Sequence, residues 1–157
     1  MNPLRFAEVH QSAFIAAPPA LVQRQFADLE HHIQTNVHPS LTFKVLAHDD
    51  TSARYVQEVK LLGLRQRDVF DREILANGSI RDVSIEGFNK GGELRVDFAS
   101  MGKGTRVDLL IRLPLPPLVG GLLRPLLERQ IKRAVTAAIT EDKYDLEVRG
   151  YPASTAH

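Results

Sequence analysis

The densest group of reactive side chains in this sequence is Glu30, His31, His32 and His38. Imidazole titrates nearest to neutral pH and is the commonest metal ligand, so such a group could supply an acid, a base or a metal site. Ligands for one ion on one helix stand three or four residues apart, whereas the adjacent His31 and His32 point about 100° apart. That spacing argues against a metal and for a solvated helix end. The functional alternative puts His31 and His38 at the mouth of a pocket, because connections carry function more often than the elements they join. A second group, Asp68, Asp71, Arg72 and Glu73 with Arg65 and Arg67, could reach into a pocket as acid and base. The plainer reading is cross-strand ion pairing on a wet face, each pair contributing about 0–1 kcal/mol. Charge on both sides of this segment also suggests an edge strand. Gly102-Lys103-Gly104-Thr105 has some likeness to a phosphate loop. Asp97, however, stands where its first glycine would be, and a strand follows, so a hairpin turn is expected.

Composition removes several chemistries. None of the 157 residues is cysteine. Disulfides, thiolate nucleophiles, zinc–thiolate sites and iron–sulfur clusters are therefore excluded. Lys and Arg number 20 against 19 Asp and Glu, and they are scattered, so nothing points to nucleic acid. The start, Met1 to Phe6, lacks the basic-then-apolar order of a secretory signal. The longest apolar stretch, Leu113 to Leu123, is interrupted by prolines and glycines and falls short of the ~20 residues that cross a bilayer. The expectation is a cytoplasmic protein with one domain over residues 1–150 and a flexible tail over 151–157, needing neither cofactor nor metal. A homo-oligomer is left open.

The elements that must position any site follow from periodicity. Phe6 to Ala16 alternates as a strand, and Ala17-Pro18-Pro19 stops it and can open a helix. Leu21, Val22, Phe26, Leu29 and Ile33 recur at helical spacing up to Gln34, and the segment to Ser40 ends that helix or splits it in two. From Leu41 the period changes to two. About six strands follow, joined by short turns at His48-Asp49-Asp50, Gly63, Asn77-Gly78, Asn89 to Gly92 and Gly102 to Gly104. Turns this short force antiparallel pairing. From Pro114 the chain leads into one long helix. Its stripe is Leu123, Leu126, Leu127, Gln130, Ile131, Ala134, Val135, Ala138 and Ile139. The stripe passes from leucines to alanines, and thin side chains on a helix facing a curved sheet can leave an apolar space. The late acids Glu141, Asp142, Asp145 and Glu147 are mildly unfavourable at a helix C-terminus and are read as a solvated end.

The order of elements and several local motifs resemble the START-like, or SRPBCC, superfamily of lipid-transfer domains, plant allergens and polyketide cyclases. Phe14-Ile15-Ala16-Ala17-Pro18-Pro19-Ala20-Leu21-Val22 is similar to its strand-to-helix junction. Asp28-Leu29 followed by His38-Pro39-Ser40-Leu41 resembles its helix-to-strand connection, and Gly104-Thr105-Arg106-Val107 its late hairpin. Glu141-Asp142-Lys143-Tyr144-Asp145-Leu146-Glu147 resembles the end of its long helix, so that the likeness runs in order across nearly the whole chain. The chain departs from the pattern in carrying His38 where many members have an aromatic residue before the proline. Ring-hydroxylating oxygenases share this fold, but their cysteines and their pair of helical histidines are missing.

The resemblance implies an α+β helix-grip fold, a curved antiparallel sheet of about six or seven strands wrapped around the C-terminal helix, with one or two short helices after the first strand. It also implies an internal cavity. The expected lining is Tyr55, Gln57, Val59, Phe70, Val83, Ile85, Val96, Phe98, Leu109 and Ile111 from strands, and Leu126, Gln130, Ala134, Ala137 and Ala138 from the helix. A filled core is the competing expectation, since burial stabilises by ~25 cal/mol per Å² in either case. Two functions fit: binding or transport of a small hydrophobic molecule (a lipid, a quinone-like ring or a polyketide), or cyclase and dehydratase chemistry by pocket carboxylates, Tyr55 or a histidine.

Overall fold

The computed structural model of the protein describes residues 6–61, 63–115 and 120–152. Strand β1 (Phe6–Ile15) leads into helices α1 (Pro19–Ala27) and α2 (Leu29–Gln34). Six strands follow: β2 (Thr42–His48), β3 (Ser52–Leu61), β4 (Leu64–Ile74), β5 (Ile80–Gly87), β6 (Glu93–Met101) and β7 (Gly104–Pro114). Helix α3 (Gly120–Glu147) ends the order. The strands form one antiparallel sheet in the order β1-β7-β6-β5-β4-β3-β2. This is the α+β helix-grip arrangement, a curved sheet against a long C-terminal helix with short helices after the first strand. Among the described residues, no helix is long and apolar enough to cross a membrane.

The local causes are visible. Pro19 occupies the first turn of α1, where its missing N–H is not needed. The helical segment is split at Asp28, which closes α1 and caps α2 by accepting a bond from the His31 N–H at 3.1 Å. Register shifts between Val45 and Ala47 and between Val69 and Phe70 mark bulges, which bend strands. The bend beside β4 is possible because Gly87 sits at φ +121°, where a Cβ would overlap the Arg67 carbonyl and Asp68.

The main core joins Val9 and Ile15 of β1, Val96 of β6 and Val107 and Leu109 of β7 to Leu127, Ile131, Val135, Ile139 and Leu146 of α3. A smaller cluster holds Leu29, Tyr55 and Phe70 together at the β3–β4 end. The buried face of α3 follows the expected stripe except at Leu126, and Ala137, expected in the lining, falls outside it. Leu126 is 43% exposed and Ala137 is exposed, while Ala134 and Ala138 lie half-buried beside the Ile131–Val135–Ile139 line. Strand β4 is not an edge strand, since it lies between β3 and β5. Tyr151, expected in the tail, is 3% exposed, packs its ring against His31 and donates a bond to Asp28 at 2.7 Å.

Candidate ligand-binding cavity

A cavity of ≈ 250 Å³ opens between the sheet and α3. One wall is Tyr55, Gln57, Val59 and Leu61 of β3 with Asp68 and Phe70 of β4; the other is Leu109, Ile111 and Leu113 of β7. Ile131, Ala134, Val135, Ala138 and Glu141 of α3 close one side, and Ser40 and Leu41 of the connection before β2 complete an end. Of the expected lining, Tyr55, Gln57, Val59, Phe70, Leu109, Ile111, Ala134 and Ala138 are brought together here.

The remaining expected residues lie elsewhere, each for a physical reason. Val96 is filled core at 3% exposure, and the Phe98 ring meets Phe26 of α1 edge-on at 5.4 Å, so helix α1 covers the space they would have bordered. Val83 and Ile85 belong to the opposite face of β5. Ile80, Asp82 and Ser84 are the buried alternates of that strand, and neighbouring residues of a strand point to opposite faces. Leu126 and Ala137 are turned to solvent and Gln130 is half-buried; none of the three lines the cavity.

The inward phase of β5 is explained by polar pairing. Arg72 donates from Nε to Asp82 Oδ1 at 2.8 Å and from Nη2 to Oδ2 at 2.9 Å, and the Tyr55 hydroxyl donates to Asp82 Oδ2 at 2.8 Å. Arg72 and Asp82 are thus inside the protein, not on the wet face expected for the charged strand; Arg54–Asp71 and Arg65–Glu58 do pair on the surface. Burial, and then the Asp82 charge, push the Tyr55 phenol well above its ordinary value. For Arg72, burial opposes the charge, but Asp82 outweighs it and holds the guanidinium above its usual range. The Asp68 carboxylate is equally committed: Ser84 Oγ donates to it at 2.9 Å, the Asn89 backbone N–H at 2.7 Å and the Asn89 amide at 2.9 Å.

At the far end the histidines are buried, which overturns the solvated-end expectation. His31 is 2% exposed and His38 7%, so His31 in particular is no pocket mouth. His31 Nε2 meets Asp145 Oδ2 at 2.6 Å, His32 Nε2 meets Asp142 Oδ1 at 2.9 Å, and His38 Nδ1 meets Glu141 Oε1 at 3.0 Å. Gln25 Nε2 donates to both Asp142 Oδ1 and Asp145 Oδ2. The late acids of α3 are therefore partners of α1, α2 and the connection after α2. Desolvation favours the neutral form of His38, but Asp142 and Glu141 outweigh it and raise its pKa to about 8. Desolvation likewise opposes the Asp142 charge, yet bonds from His32 and His38 hold that carboxyl well below the usual range. Glu141 ties this cluster to the cavity, because it lines the one and bonds the other.

No family model and no curated protein matches this chain. Solved structures do. TTHA0849 from Thermus thermophilus is 26% identical, with a TM-score of 0.81 over 91% of this chain and 99% of that one. The Zhui aromatase/cyclase from Streptomyces sp. R1128 is 18% identical, with a TM-score of 0.79 over 94% and 98%. A START superfamily protein from Mycobacterium smegmatis is 14% identical, with a TM-score of 0.73 over 89% and 97%. The chain has the START-like, SRPBCC helix-grip fold. The cavity lies between the sheet and the last helix of that fold, and the histidine–carboxylate bonds join the end of that helix to α1, α2 and the connection after α2.

Proposed function

We propose that the protein binds a small hydrophobic molecule in the cavity between the sheet and α3. The observation that carries this is the wall itself. It is built mainly from Val59, Leu61, Phe70, Leu109, Ile111 and the thin Ala134 and Ala138, and the acids nearest to it already have partners. The Tyr55 hydroxyl donates its hydrogen bond to Asp82, and Asp68 is saturated by Ser84 and Asn89. Such a wall favours burial of apolar ligand surface over acid–base chemistry, which needs titratable groups free to face a substrate. Apolar cavities of about 150 Å³ hold a benzene-sized guest, so ≈ 250 Å³ suits one or two fused rings or a short acyl segment. Polar groups that could orient it include Ser40, Gln57, Lys60 and Glu141 of the lining. Structural likeness to an aromatase/cyclase concerns the fold, and the committed state of Tyr55 and Asp68 is why binding is preferred to cyclase or dehydratase chemistry here. Native mass spectrometry of protein purified gently from its own host tests the proposal. A retained mass that is released on denaturation supports it; a bare protein that also fails to take up naphthalene- or acyl-type probes overturns it.

A further inference from the structure

The buried end of α3 directs two imidazoles at one carboxylate oxygen. Asp28 O is a carbonyl and can only accept, so His32 Nδ1, 2.7 Å from it, carries the proton. His38 Nδ1 lies 3.0 Å from Glu141 Oε1 and is its donor in the same way. Both rings therefore turn their other nitrogen inward, and both aim at one oxygen: Asp142 Oδ1 is 2.9 Å from His32 Nε2 and 3.3 Å from His38 Nε2. Metal-ligating histidines have this signature, with the outer N–H fixed by a carbonyl or carboxylate and the inner nitrogen directed at the ion. One ligand atom from each of His32, His38 and Asp142 falls within 4.8 Å of the others. Bonds of 2.0–2.1 Å in a tetrahedron place donors about 3.3 Å apart, which the two His–Asp142 distances already approach. The surroundings point the same way. Gln25 Oε1, His31 Nδ1 and Asp145 Oδ1 are buried without a hydrogen-bond partner, and unsatisfied polar atoms of this kind commonly signal water or an ion nearby.

We propose that His32, His38 and Asp142 bind one divalent transition-metal ion of the Zn²⁺ type. Two imidazoles and one carboxylate form a donor set that Zn²⁺ and Co²⁺ accept, with a fourth position open to water. Gln25 then keeps its bond to Asp145 and gives up the one to Asp142. The ion joins α2, the connection carrying His38 and the last turns of α3. It thereby fixes the segment whose next residues, Ser40 and Leu41, close the cavity. This departs from the expectation, drawn from local spacing, that the chain holds no metal. It does not depend on what the cavity binds.

The test uses the full chain after treatment with a chelator. Co²⁺ is titrated and followed by the intense visible absorption of four-coordinate cobalt, and Zn²⁺ is titrated calorimetrically. One equivalent of each is expected to bind, and Zn²⁺ is expected to raise the melting temperature. His38→Ala should lose the cobalt band and bind Zn²⁺ at least tenfold more weakly. Glu141→Gln, which changes the acceptor of the His38 Nδ1–H and leaves the three ligands in place, should weaken metal binding by about tenfold. His48→Ala, an exposed histidine beside Glu30, should change nothing. Wild-type protein that is folded yet gives no cobalt band and no Zn²⁺ heat overturns the site, as does an unchanged band in folded His38→Ala and His38→Gln.

Discussion

Helix α3 presents two different surfaces along its length. Its middle turns face the sheet with Ile131, Ala134, Val135 and Ala138, and they leave a cavity. Its last turns face α1, α2 and the connection with Glu141, Asp142 and Asp145, and they are held there by directed hydrogen bonds. The difference follows from what each kind of contact demands. Dispersion and burial are non-directional, so an apolar face can forgo some contacts and remain in place. A buried carboxylate cannot forgo partners without a large desolvation penalty. The polar end therefore fixes the helix, and the apolar middle can stay partly unfilled.

Breaking the polar end should have the largest effect. Asp145→Ala removes the acceptor shared by His31 and Gln25 and should destabilise by about 3–5 kcal/mol in denaturant unfolding. A loss below about 1 kcal/mol would mean the end is not the anchor. Next comes the filled part of the apolar face. Ile139→Ala, at 4% exposure in the main core, should cost about 2–5 kcal/mol by the same measurement. The cavity sharpens the contrast. Overpacking a tight core usually costs about 1–3 kcal/mol, but Ala138→Phe projects into the cavity and should change stability by less than about 1 kcal/mol while abolishing uptake of apolar probes. The smallest effect is expected one residue away. Ala137→Leu on the exposed face should stay within about 0.5 kcal/mol of wild type and bind probes unchanged.

Much of the architecture could be read along the chain because its signals are local. Period-two alternation, Asn77-Gly78 and the proline at the head of α1 each act within a few residues, and all became the elements expected. The face of β5 could not be read in this way. Val83 and Ile85 are the apolar alternates and invite an inward assignment, but Asp82 and Ser84 are buried because Arg72, Tyr55 and Asp68 on neighbouring strands pair with them. A strand's phase was set by its partners, not by its own hydrophobicity. The histidine–carboxylate end was hidden for a related reason: His31 and Asp145 are 114 positions apart in sequence. A signal was nevertheless there. Three histidines packed closely in sequence and four acids crowded at a helix C-terminus are each unfavourable alone, and three of those acids, Glu141, Asp142 and Asp145, supply what the histidines lack.

The cavity is the claim on which the functional reading rests, and one titration addresses it directly. Fluorescence of 2-naphthol, a probe of two fused rings, is followed as it is added to wild type and to Ala138→Phe, with unfolding curves confirming that both are folded. Saturable uptake of one probe by wild type and none by the variant is the predicted result. Equal uptake by both would contradict it.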